Sequence, residues 1–242
     1  MFKLIICCAV VVSMLTACDV KKEQLHEDTK NNIQNKIVSS LKAMDVRGPM
    51  TVGFNAQNQK VVVDAYITEE QKSQLIDKYG DDLIEVNISE IVSGLVGYVV
   101  RVENGKILVV DPNVQDYGAQ GGEKFFYNAS WYSNAPDEVK VGQKVEVKVI
   151  EGPITTQYPG DSTAEKVIII PHINAGNAIL LEEEAIRKAM ASNEYQHSIA
   201  ATDEWLPVIK GATYNEKTSM WTVNFTNKST DQVISIPIED EQ

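Results

Sequence analysis

The chain has 242 residues, of which 43% are hydrophobic, and 34 acidic against 22 basic side chains give it a formal net charge of −12. An acidic surface repels the phosphate backbone of nucleic acids, and the sequence has no basic stripe to overcome that repulsion. The same charge disfavours flat adsorption on anionic lipid, so the composition favours a solvated, acidic surface.

Residues 1–17 are predicted to be a secretory signal peptide. Lys3 precedes an uncharged apolar run over 4–14, and small residues follow that run, as in signal sequences. The run is shorter than the roughly 20 apolar residues of a transmembrane helix. Residues 15–18 (LTAC) resemble the bacterial lipobox, which implies a diacylglyceryl group on Cys18. The alternative is an ordinary signal peptide in which Cys18 stands by chance.

Lipidation of Cys18 predicts the location of the protein and the chemistry of its cysteines. Cys7 and Cys8 would leave with the signal peptide, so the mature chain would have no disulfide and its core alone would stabilise it. Residues 18–28 are polar and are predicted to form a tether. We therefore expect a lipid-anchored protein on the extracytoplasmic face of the cell membrane.

The segment 29–91 is predicted to form a small α+β module. Ile33, Ile37 and Leu41 lie at helical spacing, and Thr68–Gln71 has the pattern of a capping box at the start of a second helix. Strands are predicted at 50–54, 61–66 and 83–88. The expected order is helix, strand, strand, helix, strand.

The segment 92–171 is predicted to form a five-stranded barrel of the OB type. Strands are expected at 94–102, 106–110, 125–131, 144–149 and 164–170, with long loops at 111–123 and 151–163. Asn104-Gly105 predicts a tight first hairpin. Alternation in the first strand predicts that Val96, Tyr98, Val100 and Val102 share one face. A tight first hairpin followed by long loops is typical of OB-type barrels.

Residues of about 94–170 also resemble a known family. The hairpin Gly97-Tyr98-Val99-Val100 with Ile107–Val110, the strand 141–147 (VGQKVEV) and the loop 152–159 (GPITTQYP) are similar to the pattern of the YobA-like Bacillus-type lipoproteins. Gln157 stands where that family usually has serine. The resemblance implies an OB-type fold and an envelope location, but no established activity.

The segment 177–242 is predicted to form a helix and a three-stranded antiparallel meander. The helix is expected at 181–193, and the strands at 206–214, 220–226 and 233–238. This arrangement is slightly similar to PepSY-like exported modules. The predicted fold class of the whole chain is thus α+β, with an N-terminal α+β module, a central OB-like barrel and a C-terminal helix plus meander.

The sequence offers no pattern that is typical of a catalytic or metal site. His26, His172 and His197 lack the short spacing of a helical metal motif. No serine lies in a recognisable nucleophile motif. Asp111, Asp116 and Glu123 could serve glycoside hydrolysis or bind calcium, but a solvated acidic loop is the preferred interpretation. We therefore predict no catalytic residues, no metal and no cofactor.

Aromatic residues are the strongest candidates for a binding surface. Trp131, Tyr132 and Tyr158 could lie at one mouth of the barrel and stack on a sugar ring, whereas the alternative is that the aromatic side chains fill the core. The leading hypothesis is a non-catalytic interaction protein with a partner protein in the envelope. A cell-wall glycan-binding module and, less favoured, an envelope hydrolase are the alternatives; nucleic acid is not expected as a partner.

Overall fold

A computed structural model of the chain describes residues 27–152, 157–171, 176–200, 206–226 and 232–241. The predicted signal peptide, Cys18, His26 and His172 lie outside the described residues. The fold is mixed α+β, and most of its regular structure is strands in three separate sheets. Within the described ranges, no helix has the length and apolar character needed to cross a membrane.

The N-terminal unit contains two helices and a three-stranded sheet, in the predicted order. Its elements are α1 (Glu27–Ala43), β1 (Met50–Asn55), β2 (Lys60–Ala65), α2 (Glu69–Tyr79) and β3 (Ile84–Ile88). β2 is central, antiparallel to β1 and parallel to β3. Ile37 and Leu41 of α1 and Leu75 of α2 are fully buried against this sheet, because helical spacing places them on the apolar faces of their helices.

The start of α2 is set by its own sequence. Thr68 Oγ1 accepts a hydrogen bond from the amide of Gln71 at 3.2 Å, and the amide of Thr68 donates to Gln71 Oε1 at 2.9 Å. Both hydrogen bonds of the predicted capping box are therefore present. The helix ends at Gly80, whose φ of +86° suits a residue without a Cβ atom.

Five strands of the central segment pair in a closed ring. They are β4 (Ile91–Glu103), β5 (Lys106–Gln115), β6 (Phe126–Ser133), β7 (Lys144–Ile150) and β8 (Gly160–Ile169). The order around the ring is β4-β5-β6-β8-β7, and β7 pairs back to β4. β6 and β8 are parallel, and the other four pairs are antiparallel. The predicted turn joins β4 to β5, with positive φ at both Asn104 and Gly105.

All five strands of the ring are longer than the sequence predicts, and two of them extend into predicted loops. β5 continues to Gln115 through the first half of the predicted loop 111–123, and β8 begins at Gly160, inside the predicted loop 151–163. Pro112 made a longer β5 hard to predict, because proline has no backbone N–H group to donate to the hydrogen bonds between strands. The strand tolerates it with a shift in register between Val110 and Val114.

The C-terminal unit consists of α3 (Glu182–Ala191), β9 (Val208–Asn215), β10 (Met220–Thr226) and β11 (Val233–Glu239). The strands form an antiparallel meander with β10 in the centre, as predicted. A short helical turn at Asn193–Tyr195 and a π-helical turn at Gln196–Ala200 follow α3.

The ring and the C-terminal unit share one hydrophobic core, which we call the shared core. The outer face of the ring contributes Tyr98, Leu108 and Tyr127, and the C-terminal unit contributes Trp221 and Phe225. A second core fills the interior of the ring and includes Val99, Val109 and Val145. The C-terminal unit therefore covers the outside of β4, β5 and β6.

This cover changes the burial of β4. Of the four residues that the sequence places on one face, Tyr98 and Val100 are buried, whereas Val96 and Val102 are exposed. Val99, on the opposite face, is fully buried inside the ring. The middle of β4 is buried on both faces because it lies between two cores, whereas its ends project beyond them.

Candidate functional site

An exposed aromatic patch lies where β5 ends, β6 begins and β8 begins. It consists of Tyr117, Phe126 and Tyr158, and we call it the aromatic patch. The ring centroids of Tyr117 and Phe126 are 5.5 Å apart in an edge-to-face arrangement, and those of Phe126 and Tyr158 are 5.1 Å apart. Tyr117 and Tyr158 nevertheless keep 39% and 38% of their surface exposed. The three rings support one another and still offer apolar surface to a ligand.

The loop after β5 holds Tyr117 in place. The amide of Tyr117 donates to the carbonyl of Glu123 at 2.9 Å, and the amide of Gly122 donates to the carbonyl of Tyr117 at 3.0 Å. A Cβ atom at Gly122 would lie 2.8 Å from Cβ of Tyr117, so the close approach requires glycine. The second half of the predicted loop 111–123 is thus a compact turn that presents one aromatic side chain.

Tyr158 is fixed through its hydroxyl group. Its Oη donates to the carbonyl of Tyr127 in β6 at 2.7 Å. The hydroxyl is therefore used within the fold, and the ring presents its partly exposed surface beside Phe126. This contact holds the segment before β8 against β6.

Hydrogen bonds within β5 and from the C-terminal unit stabilise the register shift in β5. Asp111 Oδ1 accepts from both the amide and the side-chain nitrogen of Asn113, each at 2.8 Å. From the C-terminal unit, Lys210 Nζ donates to the carbonyl of Pro112 at 2.8 Å and lies 5.0 Å from the ring centroid of Tyr127. The strand end that leads to Tyr117 is consequently braced by another part of the fold.

The three residues predicted to bind a ligand are not brought to one surface. Tyr158 belongs to the aromatic patch, but Tyr132 is only 4% exposed and packs in the interior of the ring. Burial raises the pKa of the Tyr132 hydroxyl. Trp131, on the opposite face of β6, packs against the shared core. Adjacent residues of a strand point to opposite faces, so Trp131 and Tyr132 could not have shared a surface.

The three carboxylates of the predicted acidic loop lie in different local structures, with Asp111 in β5 and Asp116 and Glu123 in the segment that follows it. The carboxylate of Asp111 accepts from Asn113, that of Asp116 accepts from the amide of Gly118 at 2.8 Å, and Glu123 is exposed. Among the described residues, no group of three or more His, Cys, Asp or Glu side chains is placed to hold a metal ion. His197 is exposed, with Nδ1 2.6 Å from the carbonyl of Asn193.

Tyr117 is, with Phe126, one of two members of the aromatic patch that do not belong to the site predicted from the sequence. Its neighbours Gly118, Gly121 and Gly122 made the segment resemble an open loop. An aromatic side chain inside a glycine-rich segment that ends a strand is the signal that could have identified it.

Comparison with protein families gives a match that covers most of the ring and not the whole chain. Residues 96–171 match the model of a family described as "Protein of unknown function (DUF3221)". No curated protein and no solved structure matched the chain. The matched range agrees with the segment of about 94–170 in which the family resemblance lies, whereas the YobA-like identity itself stays a prediction. Residues 96–171 thus form a DUF3221 domain, a domain of uncharacterised function.

Proposed function

We propose that this chain is a lipid-anchored binding protein of the cell envelope, without catalytic activity, that holds its partner at the aromatic patch. The anchor would be the diacylglyceryl group on Cys18, at the extracytoplasmic face of the cell membrane. The single observation that carries the binding role is the exposure of Tyr117 and Tyr158 around Phe126. Contiguous exposed aromatic surface on a folded protein is typical of interaction sites.

We further propose that the ring is a barrel of the OB type. Counted from β4, the strand order 1-2-3-5-4 with closure between the first and fourth strands supports this proposal. OB-type barrels bind ligands on the face of their second and third strands and at nearby loops. Here the shared core covers the outside of β5 and β6, which leaves the loops at the end of these strands, where the aromatic patch lies.

A partner protein is the leading ligand, and a wall glycan is the second candidate. The glycan is favoured by the tilt of 47° between the rings of Phe126 and Tyr158, which leaves ring surface accessible for stacking. Of the three residues first assigned to glycan binding, Tyr158 alone remains in this proposal.

Site-specific photocrosslinking in intact cells tests the proposal. A photoreactive phenylalanine replaces Tyr117 in the full-length chain, and the same residue replaces Tyr66 in a matched control. Tyr66 is 37% exposed and belongs to the N-terminal unit, so the two probes differ in place and not in exposure. We expect abundant adducts from position 117 in the membrane fraction and few from position 66.

The nature of the adduct separates the two candidates. Sensitivity to protease and a defined partner mass would support a protein ligand, whereas sensitivity to a muramidase would support the glycan. Equal adduct yields at positions 117 and 66 would reject the aromatic patch as the binding surface.

Replacement of Cys18 by serine should move the protein out of the membrane fraction if Cys18 is its anchor.

A further inference from the structure

A cleft lies in the N-terminal unit, between α1 and α2. Its volume is about 740 Å³. Lys36 and Lys78 line it from the two helices, with hydroxyl groups and a larger apolar portion between them. The full lining is Ile33, Asn35, Lys36, Ser39, Ser40, Ala43, Lys78 and Tyr79. We call this the lysine cleft.

The hydrogen bonds inside the lysine cleft converge on Ser40. Its Oγ donates to the carbonyl of Lys36 at 3.0 Å. A serine hydroxyl has one hydrogen and two lone pairs, so the other two contacts must be donated to it. These come from the hydroxyl of Tyr79 at 2.8 Å and from Nζ of Lys78 at 2.9 Å. The hydrogen-bonding capacity of Ser40 is thereby complete.

This network fixes the position of the Lys78 ammonium group. Nζ of Lys78 bonds to Ser40 and lies 5.3 Å from the ring centroid of Tyr79. An ammonium group has three N–H donors, so two remain for a ligand after the bond to Ser40. A flexible lysine normally loses side-chain entropy when it binds. Here the fold has already restricted the side chain, which lowers that cost.

The charge in the lysine cleft is positive and uncompensated within the described part of the chain. Its lining contains two lysines and no acidic residue. Neither Lys36 nor Lys78 has an ion-pair partner among the residues that the structure describes. In a chain with a formal net charge of −12, two adjacent helices thus present a small basic site.

We propose that the lysine cleft binds the phosphate group of a small phosphate ester. Lysine ammonium groups bind phosphate as point charges, and the lining of the cleft supplies two of them. Ile33 and Ala43 give the cleft an apolar wall for the organic part of the ester. The acidic surface beyond the cleft repels long polyanions, so a single phosphate group fits better than a nucleic acid or another polyanion.

Ser40 is a positioning residue in this proposal. It holds Lys78, and its own donor and acceptor capacity is used within the fold, so it makes no hydrogen bond to the ligand. Its network could alternatively serve only to join α1 to α2. The two roles differ in what the lysines do, since a structural network needs Lys78 but makes no use of the ammonium group of Lys36.

The test measures binding of radiolabelled inorganic phosphate and of glycerophosphoglycerol to the full chain by equilibrium dialysis in neutral detergent. The double variant K36Q/K78Q is compared with K42Q/K72Q, which removes the same charge from the same two helices outside the cleft lining. We expect K36Q/K78Q to weaken binding about tenfold or more and K42Q/K72Q to leave it nearly unchanged. S40A should cause a smaller loss than K78Q, and thermal melting confirms that each variant is folded.

The outcomes decide both the site and the source of the phosphate. Equal losses in the two double variants would show a general charge effect and overturn the proposal, as would undetectable binding of both ligands. Tighter binding of glycerophosphoglycerol than of inorganic phosphate would support the site and indicate a lipid headgroup as its source. Equal binding would support the site and indicate free phosphate. Glycerophosphocholine, which carries a compensating positive charge, should bind more weakly than glycerophosphoglycerol.

Discussion

Tyr98 connects the ring to the C-terminal unit through a buried hydrogen bond. Its hydroxyl donates to Glu182 Oε1 at 3.1 Å, and the amide of Ala212 donates to the same oxygen at 3.2 Å. Burial and the neighbouring carboxylate of Glu182 raise the pKa of Tyr98, so its hydroxyl stays a donor. One carboxylate oxygen thus joins β4, α3 and β9.

Removal of this single donor should therefore destabilise the whole contact. We expect Y98F to lower the free energy of unfolding by about 1–3 kcal/mol, because the buried carboxylate of Glu182 loses a partner. Y66F makes the same chemical change at an exposed tyrosine and should have little effect. Urea denaturation of the two variants measures the difference. A Y98F effect no larger than that of Y66F would show that Glu182 is adequately paired without it.

At the scale of single residues, the sequence predicts contacts between residues that are close together in the chain. Thr68 and Gln71 are three residues apart, and their capping box follows from local geometry. The partner of Tyr98 is 84 residues away, so no local pattern indicates it. Tyr117 was missed for a different reason: its glycine neighbours resemble an open loop, and its ring contact with Phe126 depends on how that loop meets β6.

At the scale of elements, Asp240 fastens the end of β11 to the start of α3. Its carboxylate accepts from the amides of Ile179 and Leu180, each at 2.8 Å, and from Nε1 of Trp221 at 3.2 Å. Burial alone would raise the pKa of Asp240, but these donors outweigh burial and lower it below its ordinary value of 3.8. The charged carboxylate is therefore the form that the fold binds.

The lowered pKa predicts how stability depends on pH. A group with a lower pKa in the folded state contributes its full stabilisation above the unfolded-state pKa, and loses it as the pH falls through the folded-state pKa. We expect D240N to melt at a lower temperature than the wild type at pH 7, with the gap narrowing as the pH falls below about 4. E239Q, at an exposed neighbouring position, is the control. A difference in melting temperature between D240N and the wild type that stays constant with pH would contradict the stabilising role of the charged Asp240 carboxylate.

The elements themselves could be predicted where their pattern is self-contained. β10 was predicted at 220–226, the range that the structure gives, because turn residues bound a short run with alternating burial. β5 and β8 were predicted too short. Their missing residues pair with β6 in another part of the chain, and Pro112 and Gly160 are poor strand signals in themselves.

For the whole molecule, the sequence separates three segments but does not reveal that two of them share a core. Leu108 and Val109 are both fully buried, one in the shared core and the other inside the ring. A continuous apolar strand in the sequence is consistent with cover on both faces, but it does not identify what provides the cover. The shared core also crosses the end of the family match at residue 171.

This arrangement predicts that a cut near residue 171 is more damaging than a cut near residue 91. A fragment of residues 92–171 would expose the ring residues of the shared core, among them Tyr98, Leu108 and Tyr127. A fragment of residues 92–242 keeps both the shared core and the interior of the ring intact, because the core of the N-terminal unit is drawn from residues before 91.

We therefore expect fragment 92–171 to bind the dye 8-anilinonaphthalene-1-sulfonate strongly and to lack a cooperative thermal transition, as fragments with exposed apolar surface do. Fragment 92–242 should bind little dye and melt in one transition, since the ring and the C-terminal unit cannot unfold separately without exposing the shared core. Dye fluorescence and calorimetry on the two fragments provide the comparison. Cooperative melting of fragment 92–171 with little dye binding would mean that the ring folds independently and that the C-terminal unit only rests on it.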